Sequence, residues 1–196
     1  MKREFVYKEV LAMLNDGADY QAVTLSEVAR RCGVGKSTLY DYFNSKDEMI
    51  YNSFLYYVNR MIKFFSQGFK VTTFDQSLRV YLKSLCVCMS ANFWMVFPWT
   101  FESYLKYLGE ADANTLSKLL QKSQKMMISL LENICEVGQE EEKVAEFDEY
   151  KIRFIFFGIA GEISSVLQEE DFDLNSDEGK DFLEDLVFTV TEQLAY

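Results

Sequence analysis

Two capping boxes on either side of a glycine turn constrain the fold of this chain more than any other feature. Thr24 stands three residues before Glu27, and Ser45 stands three residues before Glu48. A hydroxyl residue at this distance from a glutamate typically begins a helix. Gly33 lies between the two boxes, where glycine ends a helix because it takes left-handed backbone angles without steric cost. The pattern predicts a helix, a tight turn, a short second helix and a longer third one in close succession.

The rest of the chain is also predicted to be helical. It contains one proline, Pro98, and nine glycines, and 49% of its residues are hydrophobic, which is enough to bury a sizeable core. Apolar residues recur at helical spacing, and no pattern of short β-branched strands is present. Gly138 is expected to end the helix that precedes it. We therefore expect an all-α fold with helices near residues 2–16, 25–32, 36–43, 46–65, 74–89, 100–108, 114–137, 149–168 and 176–194.

The run Gly35-Lys36-Ser37 raises the alternative of a nucleotide-binding loop. Such a loop requires another glycine five residues before its Gly-Lys-Ser end, and it must connect a strand to a helix. Arg30 occupies the position of that glycine, and the preceding residues form a capped amphipathic helix. Both requirements fail, so we do not expect a nucleotide site here.

A helix-turn-helix explains more of these residues. The small side chain of Ala29 allows the two helices to pack closely, and Gly33 provides the tight turn between them. Four apolar residues stand at the offsets that would fill the interior of the pair. These are Val28, Cys32, Val34 and Leu39.

The second helix of this pair would enter the major groove of DNA. Gly35 would let the backbone approach the duplex closely, because it has no side chain. Lys36 offers a cation to a phosphate or a guanine, and Ser37 and Thr38 can donate or accept hydrogen bonds. The sequence therefore predicts a DNA-reading surface at this helix.

The stretch VTLSEVARRCGVGKSTLYDYFNSKDEM resembles the DNA-binding segment of the TetR family of transcriptional regulators. The resemblance covers residues 2–49; beyond them the chain resembles the family only in length and helicity. The signature of that family ends in Thr-Leu-Tyr-x-Tyr-Phe-x-Ser-Lys followed by an acidic residue. Its positions are matched by Thr38, Leu39, Tyr40, Tyr42, Phe43, Ser45, Lys46 and Asp47.

The resemblance implies roles for several of these residues. Thr24 would cap the second helix against the DNA backbone, and the hydroxyls of Tyr40 and Tyr42 would bind phosphates. Lys46, at the amino end of the fourth helix, would meet another phosphate with the help of the helix dipole. The resemblance also implies a DNA-binding domain over residues 1–48, followed by a larger helical domain that binds an effector and dimerises, over 49–196.

A dense aromatic cluster surrounds the single proline in that larger domain. One interpretation is a pocket for a hydrophobic or aromatic effector, since such pockets are mostly apolar and methionine adapts to varied ligands. The other interpretation is a well-filled core, and the sequence leaves both open. The candidate effector-binding residues are Phe93, Trp94, Phe97, Trp99, Tyr104 and Met126.

The last two helices are predicted to form a dimer interface. The stretch 154–163 is apolar almost all round and contains glycines that allow close helix approach, and such a helix must be covered. A two-fold dimer implies a pseudo-palindromic operator. The alternative is a monomer that buries both helices internally. The candidate interface residues are Phe154, Phe157, Gly158, Gly161, Phe182, Leu186 and Val190.

Charge and composition exclude several other functions. The net charge is −11, but residues 1–50 carry seven basic and eight acidic residues, so the acidity lies almost entirely in the remainder. A DNA-reading module on an acidic body has this distribution, and so does an ordinary acidic cytosolic protein. The absence of histidine excludes imidazole zinc sites, Ser-His-Asp triads and Cys-His dyads. We expect no enzymatic activity, no cofactor and no metal.

No signal peptide and no apolar run of membrane-spanning length is recognisable. We therefore expect a cytoplasmic protein without a membrane partner, whose four cysteines are reduced thiols. Its function is expected to be that of a homodimeric, ligand-responsive repressor, whose effector shifts the fourth helix and changes the separation of the two recognition helices. The alternatives are an all-helical small-molecule-binding protein or enzyme without a DNA-binding role, and a nucleotide-binding switch.

Overall fold

The computed structural model describes residues 3–16, 19–67, 69–92, 104–167 and 172–195. Within these ranges the chain forms eight helices and no strand, which confirms the predicted all-α fold. The end of the helix predicted near 100–108 is helical at residues 104–105, and its beginning lies outside the described residues. The helices are α1 (Arg3–Asn15), α2 (Leu25–Arg31), α3 (Lys36–Tyr40), α4 (Lys46–Gln67), α5 (Phe74–Asn92), α6 (Glu110–Glu140), α7 (Glu149–Val166) and α8 (Asp177–Ala195).

The turn between α2 and α3 is a Schellman motif. Gly33 has a φ of 65°, and its N–H donates to the carbonyl of Arg30 at 3.2 Å. The N–H of Val34 donates to the carbonyl of Ala29 at 3.0 Å. This pair of bonds satisfies the last carbonyls of α2 and reverses the chain, as the glycine predicted. The start of α3 is therefore held at a defined angle to α2.

Helix α3 is shorter than the sequence predicted. It has five residues, ends at Tyr40 and continues only as a turn, in which the N–H of Phe43 donates to the carbonyl of Leu39 at 2.9 Å. Leu39 and Phe43 are both buried, so this turn is anchored in the core. The next helix begins as predicted, since Ser45 Oγ accepts from the N–H of Glu48 at 3.0 Å.

The helices separate into two compact units. The first comprises Met1–Lys63 with Phe97–Ser123, and the second comprises Phe64–Val96 with Gln124–Tyr196. The first unit therefore contains α1 to α3, most of α4 and the beginning of α6. It is assembled from two separate parts of the chain. The predicted division after residue 48 stays a prediction.

Each unit has its own apolar core. In the first unit the buried side chains include Val6, Val10, Val28, Leu39, Phe43, Ile50 and Phe54. In the second they include Phe74, Leu78, Tyr81, Leu82, Leu131, Ile134, Ile152 and Phe156. The hydroxyl of the fully buried Tyr81 donates to the carbonyl of Met127 at 3.0 Å. This bond satisfies the one polar atom of that side chain.

Gly138 does not end a helix, contrary to the sequence-based expectation. Helix α6 continues through it to Glu140, and the left-handed residue of the following loop is Glu142, with a φ of 57°. A Cβ at Gly138 would lie 2.4 Å from Cγ2 of Val144 and 2.7 Å from Cδ2 of Phe74. The glycine is needed for the close approach of these two side chains to α6.

Candidate nucleic-acid interface

The residues predicted to read DNA lie together on and beside α3. Gly35, Lys36, Ser37 and Tyr40 are exposed, and Thr38 is half-buried. Leu39 of the same helix is fully buried, so α3 has one core-facing side chain among polar neighbours. The Lys36 ammonium lies 5.7 Å from the centre of the Tyr40 ring, at the outer limit of a cation–π contact. This arrangement presents hydrogen-bonding groups and one cation outward.

Gly35 is the N-cap of α3, but the fold of the free protein does not require a glycine there. Its φ of −68° and ψ of 145° are open to any residue. An added Cβ would meet only Ser37 Oγ at 3.6 Å and Thr38 Oγ1 at 3.9 Å, which are ordinary contacts. A small residue at this exposed position therefore leaves room outside the chain, and the close approach of DNA at Gly35 stays a prediction.

Thr24 caps α2 and keeps a hydrogen-bond donor for another partner. Its Oγ1 accepts from the N–H of Glu27 at 3.1 Å. A hydroxyl that accepts in this way can still donate its hydrogen, for instance to a phosphate oxygen. Thr24 is exposed, so such a donation meets no obstacle within the described protein.

The two arginines of α2 are paired within their own helix. Arg30 Nη2 lies 2.6 Å from Glu27 Oε1, and Arg31 Nε lies 3.5 Å from the same oxygen. The hydrogen bond from Arg30 is the main reason that the pKa of Glu27 is lowered. Their positive charges are thus largely compensated locally, and they contribute little to a basic surface.

Tyr42 is accompanied by a cation that sequence reasoning missed. The Arg3 guanidinium lies 5.5 Å from the centre of the Tyr42 ring. Arg3 belongs to the first turn of α1, and nothing in the spacing of the sequence connects it to residue 42. It adds positive charge next to a tyrosine whose hydroxyl is predicted to bind a phosphate.

Lys46, the first residue of α4, is held by Tyr20. Its Nζ donates to the Tyr20 carbonyl at 3.1 Å and lies 4.2 Å from the centre of the Tyr20 ring. The Tyr20 hydroxyl in turn donates to Oδ1 of Asp47 at 2.5 Å. Burial and then this hydrogen bond raise the pKa of Tyr20. Tyr20 therefore binds both residues that open α4, although the sequence did not mark it as a site residue.

A second tyrosine stacks on Tyr20. The ring centres of Tyr20 and Tyr107 are 4.3 Å apart, with an angle of 11° between the planes. The Lys106 ammonium lies 4.8 Å from the centre of the Tyr107 ring. All these residues belong to the first compact unit. The contact connects the beginning of α4 to the segment just before α6.

The predicted effector-binding residues are only partly described. Phe93, Trp94, Phe97 and Trp99 lie outside the described residues. Tyr104 is half-buried in the first unit, with its ring centre 6.1 Å from that of Phe54. Met126 is half-buried on α6 in the second unit. An effector pocket formed by this set stays a prediction.

Five of the seven predicted dimer residues line a groove between α7 and α8. The groove has a volume of about 550 Å³, and its lining includes Phe154, Gly158, Phe182, Leu186 and Val190. Phe154 is 78% exposed, whereas Leu186 and Val190 are buried within the unit. Of the other two predicted residues, Phe157 and Gly161 are half-buried on α7.

Gly158 of α7 lines this groove, and Gly161 lies one turn further along the same helix. A Cβ added at Gly158 or Gly161 would meet no atom within 4 Å. The packing of the protomer therefore does not explain why these positions lack side chains. Their absence lowers the surface of α7 beside the exposed ring of Phe154, which is the geometry that a partner helix can use.

The acidic and cysteine side chains of the described residues bear on two kinds of reactive site, metal clusters and activated thiols. They include no group of three Cys, Asp or Glu side chains that could hold a metal ion. Burial raises the pKa of Cys86 and of Cys135 to about 12, so neither thiol is a nucleophile near neutral pH. In the part of the chain that the structure covers, every helix is too short or too polar to cross a membrane.

Comparison with known proteins relates the N-terminal segment to a family of bacterial regulators and the whole chain to their fold. Residues 14–51 match the model of the family described as bacterial regulatory proteins, tetR family. No curated protein matches the chain. Several solved structures share its fold over nearly its whole length.

A bacterial regulatory protein in the tetR family from Rhodococcus RHA1 superposes with a TM-score of 0.69 at 13% identity, covering 99% of this chain and 97% of its own. The TetR family transcriptional regulator PfmR from Thermus thermophilus has a TM-score of 0.67 at 17% identity, covering 95% and 97%. The transcriptional regulator FadR from Bacillus subtilis, solved in complex with stearoyl-CoA, has a TM-score of 0.54 at 17% identity, covering 99% and 98%.

Proposed function

We propose that this chain, which carries the N-terminal segment of the TetR family at residues 14–51 and has the fold of TetR-family transcriptional regulators, is a homodimeric repressor that releases DNA when a small molecule binds. The observation that supports it most is the exposed surface of α3. The Schellman turn sets the angle of this short helix, its buried leucine anchors it, and its polar side chains point away from the core.

In the proposed complex, α3 lies in the major groove. Gly35, Lys36, Ser37 and Thr38 approach base edges and nearby phosphates. The hydroxyls of Thr24, Tyr40 and Tyr42 donate to phosphates on either side of the groove, and Lys46 neutralises a further phosphate. Because Arg3 lies beside Tyr42, it adds one more cation to this surface. The protomer thus offers few cations, and binding is expected to depend on salt only moderately.

The groove between α7 and α8 is proposed as the dimer interface. An isologous contact would place Phe154 of each protomer against the low surface around Gly158 of the other. Two recognition helices related by a two-fold axis read two half-sites, so the operator is a pseudo-palindrome. The exposure of Phe154 supports this proposal.

The effector is proposed to be a hydrophobic or aromatic small molecule. FadR from Bacillus subtilis, which has the same fold, was solved in complex with stearoyl-CoA, and this supports an effector with an apolar part. Effector and DNA must weaken each other's binding by the same factor, because coupling between two sites is reciprocal. The protein is expected to act in the cytoplasm, where the operator lies.

The proposal is tested by measuring DNA binding of the purified protein. The protein selects sequences from a random duplex library, and its affinity for the selected site is measured by fluorescence anisotropy between about 50 and 200 mM salt. Lys36→Ala is expected to weaken binding by about tenfold and to reduce the salt slope by about 1 for each protomer. Tyr42→Phe is expected to weaken binding by several-fold, because it removes one phosphate hydrogen bond.

Lys125→Ala is the matched control. It removes the same charge from an exposed position on α6, so affinity and salt slope should stay those of the wild type. If the wild-type protein selects no sequence and binds no duplex specifically at low salt, the chain is not a DNA-binding regulator.

A further inference from the structure

We propose that Tyr20 and Tyr107 are positioning residues for DNA binding, which hold Lys46 where it meets a phosphate. This inference rests on the proposed function, since it requires Lys46 to contact DNA. It concerns two tyrosines to which neither the sequence pattern nor the family resemblance assigned a role. Neither ring has to touch DNA for the effect.

Tyr20 holds the amino end of α4 from three directions. Its carbonyl accepts from Lys46 Nζ at 3.1 Å, its ring lies 4.2 Å from the same atom, and its hydroxyl donates to Asp47 Oδ1 at 2.5 Å. The side chain is 3% exposed, so it has little freedom to move. These contacts restrain the Lys46 side chain in the protein without DNA.

Tyr107 completes the support of that ring. The two rings are nearly parallel, at 11°, and their centres are 4.3 Å apart, which corresponds to a stacked pair. Each ring also has a lysine ammonium within 5 Å of its centre, Lys46 at Tyr20 and Lys106 at Tyr107. Cations are attracted to the negative faces of aromatic rings, so both lysines favour this arrangement.

Such support matters because lysine side chains are flexible. A lysine that binds a phosphate loses most of its rotamer freedom, and a lysine already held in place loses less on binding. If Tyr107 is removed, the Tyr20 ring loses its stacking partner and Lys46 gains freedom in the unbound protein. Affinity for DNA should then fall, and this loss should disappear when Lys46 is itself replaced by alanine.

A double-mutant cycle on the selected DNA site tests this dependence. Tyr107→Ala is expected to weaken binding about fivefold, and Tyr107→Phe, which keeps the stack, by less than about twofold. In a Lys46→Ala background, Tyr107→Ala should change affinity by less than about twofold. The salt slope of Tyr107→Ala should move toward that of Lys46→Ala.

A spectroscopic measurement follows Lys46 directly. In the wild-type protein without DNA, the ε-protons of Lys46 should show an upfield ring-current shift in the NMR spectrum, because they lie close to the face of Tyr20. Tyr107→Leu fills the volume without a parallel ring, and it should reduce this shift while thermal unfolding stays cooperative. It also serves as the second variant if Tyr107→Ala does not fold.

The outcomes are distinct from those that test the proposed function. If the wild type binds no DNA, the proposed function fails. If the wild type binds DNA but Tyr107→Ala weakens binding equally with and without Lys46, the tyrosines act only on the general structure and the inference is wrong. It is equally wrong if Tyr107→Ala tightens binding, because the stack would then restrain Lys46 from DNA, or if Lys46→Ala has no effect.

Discussion

Replacing Phe154 by alanine should separate dimerisation from folding. The side chain is 78% exposed on α7, at the rim of the groove between α7 and α8. Its truncation therefore leaves no cavity inside the protomer, and the free energy of protomer folding should change little. If two protomers meet at this groove, the same truncation removes apolar area from their contact.

The size of the effect follows from the exposed area. An aromatic side chain buries about 150–250 Å², so an exposed fraction of 78% leaves about 120–190 Å² for a partner to cover. At about 25 cal/mol for each Å², this area corresponds to at most about 3–5 kcal/mol for one side chain. The interface contains Phe154 twice, but the ring is only partly covered and alanine keeps its Cβ. We expect a loss of about 3 kcal/mol for the dimer, or a dissociation constant raised about 100-fold.

Sedimentation velocity over a concentration series measures that constant. Tyr150→Ala is the matched control, because Tyr150 is 83% exposed on the first turn of the same helix and does not line the groove. It should change the constant by less than about threefold. If Phe154→Ala and Tyr150→Ala dissociate at the same concentration as the wild type, α7 and α8 do not form the interface.

Three further predictions concern other positions. Gly138→Ala should destabilise the fold by about 1–3 kcal/mol in chemical denaturation, because its Cβ would overlap Phe74; an unchanged midpoint would contradict the close approach. Gly35→Ala should leave the melting temperature within a few degrees and still weaken operator binding at least about tenfold in anisotropy; unchanged affinity would show that DNA does not approach there. Burial raises the pKa of Cys86 and Cys135 from 9.0 to about 12, so the stability from keeping these thiols neutral is complete below pH 9 and is lost as pH rises toward 12. Each thiol should remove up to about 1.4 kcal/mol for each pH unit in that window, measured by denaturation at fixed pH values. Replacing both cysteines by serine should make the loss of stability with pH smaller by that amount, and an unchanged slope would contradict the assignment.

The sequence predicts those parts of the fold that depend on local signals. The caps at Thr24 and Ser45 and the glycine turn at Gly33 each involve residues a few positions apart, and hydrogen bonds in the structure confirm all three. Gly138 shows the limit of such signals. A glycine that ends a helix and a glycine that admits a neighbouring side chain look alike in sequence, and only the tertiary contacts with Phe74 and Val144 decide between them.

The residues of the candidate interface also fall into two groups, those that local sequence predicts and those that depend on contacts between distant parts of the chain. The exposure of Lys36 and Tyr40 follows from the period of a short helix with Leu39 in the core. The contacts of Arg3 with Tyr42 and of Tyr20 with Tyr107 join residues far apart in the chain. No sequence pattern distinguishes these tyrosines from aromatic residues that only fill a core. Predicting them requires the tertiary structure.

The discontinuity of the first unit has a consequence for synthesis of the protein. Residues 1–63 reach their complete set of neighbours only after residues 97–123 have followed, as the contacts of Phe54 with Tyr104 and of Tyr20 with Tyr107 show. At about 5–20 residues per second, translation takes roughly 3–12 s to cover the distance from residue 63 to residue 123. During that interval Tyr20 and Phe54 lack these partners, and the apolar surface that they expose is of the kind that chaperones recognise.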